Sequence, residues 1–260
     1  MHALDLEWGT MHLSLSNGDG PTLVFLNSLG TDLRMWDAVC ALLPTDWATL
    51  RMDKRGHGLS DTAPDSYSIP DLAKDVLAAM DNVGINRAVV VGCSIGGLIA
   101  QHIALMAPER VLGLVLSNTA PKLGSAEDWH ARIEMINESG MRAVAEGILP
   151  RWFGPEFLMK PEANLWRTLL ARTDQAGYVA TCNAIAGTDI TEQLSEIAAP
   201  TLVFAGQHDL ATPPNVIAAL AAALPDADLI SFETTGHLPA IEAPDALVDA
   251  LISFVKRITP

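Results

Sequence analysis

The segment Ala88-Val89-Val90-Val91-Gly92-Cys93-Ser94-Ile95-Gly96-Gly97 places one serine between two glycines, at the seam of two contrasting patterns. Before it, Ala88 to Val91 is continuous, largely β-branched and apolar, as expected of a strand buried on both faces. After it, Gly97-Leu98-Ile99-Ala100-Gln101-His102-Ile103-Ala104-Leu105-Met106 reads as a buried helix closed by Pro108. A serine on so sharp a strand-to-helix turn is held in a strained backbone conformation, with no room for side chains on either flank. Glycine at 92 and 96 meets that need, and Gly97 eases close packing of helix on strand. The spacing therefore predicts a nucleophile elbow. Ser94 stands exposed at the tip of a sheet, and the N–H of Ile95, at the start of a helix, is free to bind an oxyanion.

Working outward, the same alternation recurs. Leu13 to Ser16 alternates, Gly18-Asp19-Gly20-Pro21 turns, and Thr22 to Leu26 predicts a core strand. A helix over 36–43, a strand over 48–52 and a helix over 71–80 lead to the elbow strand, and Val111 to Leu116 follows it. From Lys122 to Ile190 the pattern is helical, with no convincing strand. After Pro200 it reverts: strands over 201–205 and 229–232, helices over 214–223 and 244–255. The expected class is α/β, with a mostly parallel central sheet flanked by helices and an inserted helical cap. The expected division is a core over 1–121, a cap over 122–190 and the rest of the core over 191–260. Such a cap should lie over the carboxyl ends of the strands, where sheets of this kind bind ligands.

At 260 residues and 49% hydrophobic, the chain is long enough for one large core with an inserted subdomain. Three widely spaced cysteines (Cys40, Cys93, Cys182) argue against a disulfide framework. The N-terminal Met1-His2-Ala3-Leu4-Asp5-Leu6-Glu7 lacks a basic head and a long apolar core, so no secretion signal is expected. The most apolar run, Val216 to Leu224, is too short to span a bilayer. These features together predict a cytoplasmic protein with no membrane partner. A formal charge of −15 excludes a basic stripe for nucleic acid, and it repels anions at long range, so any anionic ligand must be recognised locally.

A serine hydroxyl is a poor nucleophile until a base takes its proton, and the base needs an acid partner to hold its tautomer. Candidates in the order serine, acid, histidine lie beyond later strands: Asp209 in Gly206-Gln207-His208-Asp209, and His237 in Thr234-Thr235-Gly236-His237. Ser94 is thus the expected nucleophile, His237 the general base and Asp209 its orienting acid. A second oxyanion donor should come from the loop after 22–26, and by position the N–H of Leu29, in Asn27-Ser28-Leu29-Gly30, pairs with that of Ile95. His57 reads as a loop scaffold residue, His102 as packed in the elbow helix, His208 as pointing elsewhere and Cys93 as core filling. No cluster has metal-ligand spacing and the glycines do not follow a dinucleotide pattern, so neither metal nor cofactor is expected.

Taken together, these residues resemble the α/β-hydrolase superfamily over essentially the whole chain, and within it the 3-oxoadipate enol-lactonases. The resemblance is carried by Asn27-Ser28-Leu29-Gly30-Thr31, Met35-Trp36-Asp37, Arg55-Gly56-His57-Gly58 and Ser117-Asn118-Thr119-Ala120. Trp129 with Arg132, Arg151-Trp152-Phe153, Cys182-Asn183-Ala184-Ile185 and Ala211-Thr212-Pro213-Pro214 add to it. One departure stands after the histidine: the family tends to read Leu-Ser-Asn-Ile-Glu, whereas this chain has Leu238-Pro239-Ala240-Ile241-Glu242, a form common among generic esterases of the superfamily. The resemblance implies a small butenolide lactone bearing an acetate arm. Arg132 would then offer its carboxylate a bidentate fork, and Trp129, on the same helical face, would wall the ring; His130 is a further residue within reach. The competing readings are a general carboxylesterase or cofactor-free perhydrolase with the same triad and, more remotely, a non-catalytic binding protein, which should have lost a triad member.

Overall fold

The computed structural model describes residues 1–259. Eight strands form one sheet: β1 (His2–Leu6), β2 (Gly9–Ser16), β3 (Thr22–Leu26), β4 (Ala48–Met52), β5 (Ala88–Cys93), β6 (Val111–Ser117), β7 (Thr201–Gly206) and β8 (Ala227–Phe232), in the spatial order β1-β2-β4-β3-β5-β6-β7-β8. β1 pairs with β2 and β2 with β4 antiparallel, and every other neighbouring pair is parallel. Helices α1 (Asp37–Leu42), α2 (Ile69–Asn82), α3 (Ile95–Met106), α8 (Pro214–Ala223), α9 (Pro239–Glu242) and α10 (Pro244–Ile258) accompany the sheet. α4 (Ala126–Trp152), α5 (Pro155–Leu158), α6 (Pro161–Ala171) and α7 (Gln175–Ala186) form an all-helical segment between β6 and β7.

The central strands behave as their sequences demand. β5 and β7 are buried at every position, because helices cover both faces of a parallel sheet. The switch point lies between β3 and β5, where consecutive crossovers leave in opposite directions. Sheets of this type open a crevice there, at the strands' carboxyl ends.

Element ends differ from the sequence expectation for local reasons. β1 carries no strong sequence signal, since only Leu4 of its five residues is buried. The expected helix from Trp36 begins instead as a short 3₁₀ turn, Leu33–Trp36, capped by the Asp32 carboxylate accepting from the Arg34 N–H at 3.0 Å. α2 starts two residues early, because Ser68 and Asp71 form a reciprocal capping box. The elbow helix starts at Ile95 rather than Gly97.

α4 is two helices joined by a kink. Gly140 has φ 73° and ψ 169°, a conformation that side chains resist, and it breaks the helix between the segment bearing Trp129 and Arg132 and the segment bearing Arg151. No helix among the described residues is long and apolar enough to cross a membrane.

Candidate active site

Ser94 takes φ 57° and ψ −122° at the N-cap of α3, an uncommon conformation for a residue with a side chain. The surroundings hold it there. Its N–H donates to the Ser117 carbonyl at 2.9 Å, and its carbonyl accepts from Leu98 N–H at 3.1 Å and from the Thr119 hydroxyl at 2.6 Å. The flanking glycines are imposed by backbone: a Cβ on Gly92 would lie 2.2 Å from the Gly96 carbonyl oxygen, and one on Gly96 would lie 2.1 Å from that of Leu26.

Asp209 and His237, in the loops after β7 and β8, meet. The His237 imidazole donates through Nδ1 to Asp209 Oδ2 at 2.8 Å, with both side chains buried. That bond fixes the tautomer and leaves Nε2 free. Asp209 Oδ1 accepts from the N–H groups of Ala211 (2.7 Å) and Thr212 (2.9 Å), and Asn118 Nδ2 donates to Oδ2 at 2.8 Å. Four donors therefore hold this carboxylate. Ser94 and His237 line one cavity of about 420 Å³, and the Ser94 hydroxyl has no hydrogen-bond partner among the described residues. Apo sites commonly leave this contact open until substrate binds.

The loop after β3 brings Leu29 to the same cavity. Neither its N–H nor that of Ile95, in the first turn of α3, is used by an acceptor among the described residues. Ile95 opens a helix, where free backbone amides are suited to an anion, and Leu29 sits in a turn.

Trp129 and Arg132 line this cavity as well, with the guanidinium carbon 4.6 Å from the indole centroid. Trp129 is anchored by its Nε1–H on the Leu123 carbonyl. Arg151, a second guanidinium, lines the same cavity. Neither arginine has a salt-bridge partner among the described residues; Asp128, the carboxylate on the cavity wall, accepts from the hydroxyl and is bound back by the cap of Ser125. Tyr178 lines the same cavity, and burial pushes its phenol up, with Arg132 and then Arg151 pulling the other way. His130 is exposed and does not line the cavity.

Sequence reasoning missed Asn118, Tyr178 and Arg151 as site residues. Arg132 and Arg151 are nineteen positions apart, which in a straight helix is about 28 Å. Only the kink at Gly140 turns them onto one cavity. His208 does not line the cavity, and two other histidines, His57 and His102, are buried and bound through Nδ1 to the carbonyls of Arg55 and Leu98. Burial holds both below the usual histidine range. Cys93 is buried and its thiol meets the His237 carbonyl at 3.5 Å. A larger cleft of about 830 Å³ between α6 and the loops at 32–38 and 56–60 contains none of the predicted site residues.

A family model described as the alpha/beta hydrolase family matches residues 23–250. The chain is 34% identical over 248 residues to 3-oxoadipate enol-lactonase 2 of Acinetobacter baylyi, across 95% of this chain and 92% of that protein. It is also 32% identical over 251 residues to a putative carbamate hydrolase, RutD, of Pseudomonas syringae pv. syringae, across 92% and 95%. The crystal structure of the enol-lactonase from Burkholderia xenovorans is similar with a TM-score of 0.93 at 34% identity, covering 98% of this chain and 100% of that one.

Proposed function

We propose, since this chain belongs to the alpha/beta hydrolase family, that it is a serine hydrolase opening the ring of 3-oxoadipate enol-lactone to give 3-oxoadipate. One observation carries the choice of substrate. In a protein of net charge −15, the cavity holding Ser94 and His237 is also lined by two guanidiniums with no carboxylate partner, Arg132 and Arg151. Unpaired arginines in a partly desolvated pocket are matched to a ligand carboxylate. The indole of Trp129 beneath Arg132 gives a flat wall for a five-membered ring.

The reaction is two acyl transfers. His237 Nε2 takes the Ser94 proton as Oγ attacks the lactone carbonyl, and the oxyanion rests on the N–H groups of Leu29 and Ile95. Collapse breaks the ring C–O bond and expels an enolate, a better leaving group than an alkoxide. The enolate takes a proton from the imidazolium and tautomerises to the ketone. Water, giving a proton to His237, then attacks the acyl-enzyme, and the dicarboxylate leaves as Ser94 is restored. Residues 122–190 act as the lid that keeps bulk water from this cavity, and three free cysteines fit a cytoplasmic setting.

The similarity to a putative carbamate hydrolase favours a small carbamate as the second reading. The test follows loss of ultraviolet absorbance of purified enol-lactone, beside p-nitrophenyl acetate and a small carbamate, with Ser94→Ala as control. The lactone should have the highest kcat/KM, and Ser94→Ala should lower turnover on the order of 10⁴–10⁶-fold. A neutral ester or a carbamate preferred by orders of magnitude removes the lactone assignment.

A further inference from the structure

Lys54 lies in the loop after β4 and is buried, yet no carboxylate lies within salt-bridge distance of it. Its Nζ donates to the carbonyl oxygen of Ser28 at 2.7 Å. That carbonyl and the N–H of Leu29 belong to one planar peptide unit. A cation on the oxygen withdraws electron density through the amide and strengthens the N–H as a donor, as in any cooperative hydrogen-bond chain. The chain runs from the ammonium, through the Ser28–Leu29 peptide, to the cavity in front of Ser94.

We propose that Lys54 is a positioning residue for acyl transfer: its ammonium, bound to the Ser28 carbonyl, fixes the Ser28–Leu29 peptide and polarises the Leu29 N–H toward the oxyanion. The inference rests on the reading of Leu29 and Ile95 as the oxyanion donors. A burial cost this large for one hydrogen bond needs a use, because an unpaired ammonium is expensive to desolvate. The nearby acids are engaged elsewhere. Asp53 accepts from Leu33 N–H, Leu59 N–H and His12, and Asp32 is bound by Arg34. Asp75, which lines the same small cavity as Lys54, is held by Arg55 and Trp8. The same turn is fixed a second time by Thr31, whose hydroxyl donates to the Ser28 carbonyl at 2.9 Å. The Thr31 backbone N–H donates to that carbonyl as well, at 3.3 Å, so the geometry of the peptide is shared among three donors, while its charge comes from Lys54 alone.

Burial brings the ammonium down to about 7, against the attraction of Asp53, Asp32 and the Cys93 sulfur, while the His57 ring on the same loop is pushed below its usual range by burial first and then by Lys54. The cation is therefore complete below neutrality and lost as pH rises.

The experiment compares wild type with Lys54→Met on p-nitrophenyl acetate, a neutral ester for which the identity of the natural substrate is immaterial. The Met protein should lose about 10- to 100-fold in kcat with KM changed less than about threefold, since the contact acts on developing charge. Phenylboronic acid, whose tetrahedral serine adduct presents an anionic oxygen to the same amides, should bind weaker by a similar factor. The ratio of wild-type to Met rates should fall several-fold between about pH 6 and 9, as the lysine gives up its proton; groups common to both proteins cancel in that ratio. A Met protein within twofold of wild type, or a ratio independent of pH, overturns the proposal. If Lys54→Met does not fold, Lys54→Arg decides: a fixed cation should keep kcat and remove the fall above neutrality, and an unchanged fall overturns it. Activity retained by Ser94→Ala would instead sink the underlying hydrolase reading, which keeps the two failures apart.

Discussion

Asn118 donates its side-chain amide to Asp209 Oδ2 at 2.8 Å, the same carboxylate oxygen that receives the Nδ1 proton of His237. The same amide also reaches the Gly236 carbonyl at 3.1 Å, tying the loops after β6, β7 and β8 into one unit beside Ser94. Asn118 has φ 50°, a backbone conformation that asparagine and glycine accept.

Asn118→Gly keeps that backbone and removes only the amide. Leaving a buried carboxylate one donor short costs about 1–3 kcal/mol, so kcat should fall about 10- to 100-fold. Circular dichroism should show the fold retained. A kcat within twofold of wild type would show that the two backbone N–H groups on Oδ1 suffice.

Arg132→Met should raise KM for the anionic lactone about 10- to 100-fold, the worth of hydrogen bonds to a charged group. Arg151, more exposed, should give a smaller rise on the same change. For p-nitrophenyl acetate both proteins should match wild type, and added salt should raise the lactone KM of wild type more than that of either variant. Equal losses on both substrates would mean that the arginines hold the cavity wall rather than the ligand.

Gly177 in α7 packs directly on Gly56: a Cβ built on Gly177 would lie 2.4 Å from the Gly56 Cα. Helix propensity alone favours alanine at 177 by about 1 kcal/mol. The backbone contact should override that preference by about 1–3 kcal/mol, so that Gly177→Ala melts a few degrees below wild type. A higher melting temperature would show that α7 shifts freely on the core.

Glu242 bridges the base loop to the helical segment, accepting from Gly236 N–H and Gly154 N–H at 2.7 Å each. Burial raises it to about 7, against the pull of those amides. Because the folded value exceeds the unfolded one, its contribution to stability is complete below the ordinary glutamate range and is lost as pH climbs through about 7. Urea midpoints of wild type should therefore decline relative to those of Glu242→Gln between about pH 5 and 8. Parallel curves would refute the assignment.

What could be read from the chain follows the range of each signal. The elbow was legible because Gly92, Ser94 and Gly96 lie between a continuous apolar strand and an apolar helix, all within twenty residues. The same local patterns located the β7 and β8 loops and thus Asp209 and His237. β1 was not legible, since an edge strand with one buried residue leaves no periodicity. His57 could be set aside as a loop scaffold residue, His102 as packed within the elbow helix, and Cys93 because the elbow turns its thiol away from the exposed tip.

The sequence by itself determined the class of fold and singled out Asp209 and His237, which the structure pairs, and Ser94 and Leu29, which line the same cavity as His237. Each depends on patterns confined to one strand and its following turn. Only the tertiary structure decided the surroundings of Asn118, Arg151 and Lys54. A buried polar group acquires its use from whatever stands within about 3 Å of it. For Asn118 and Lys54 those neighbours come from segments remote in the chain, 91 residues away at Asp209 and 26 away at Ser28, while the exposed Arg151 reaches the cavity that Arg132 lines through a single kink at Gly140.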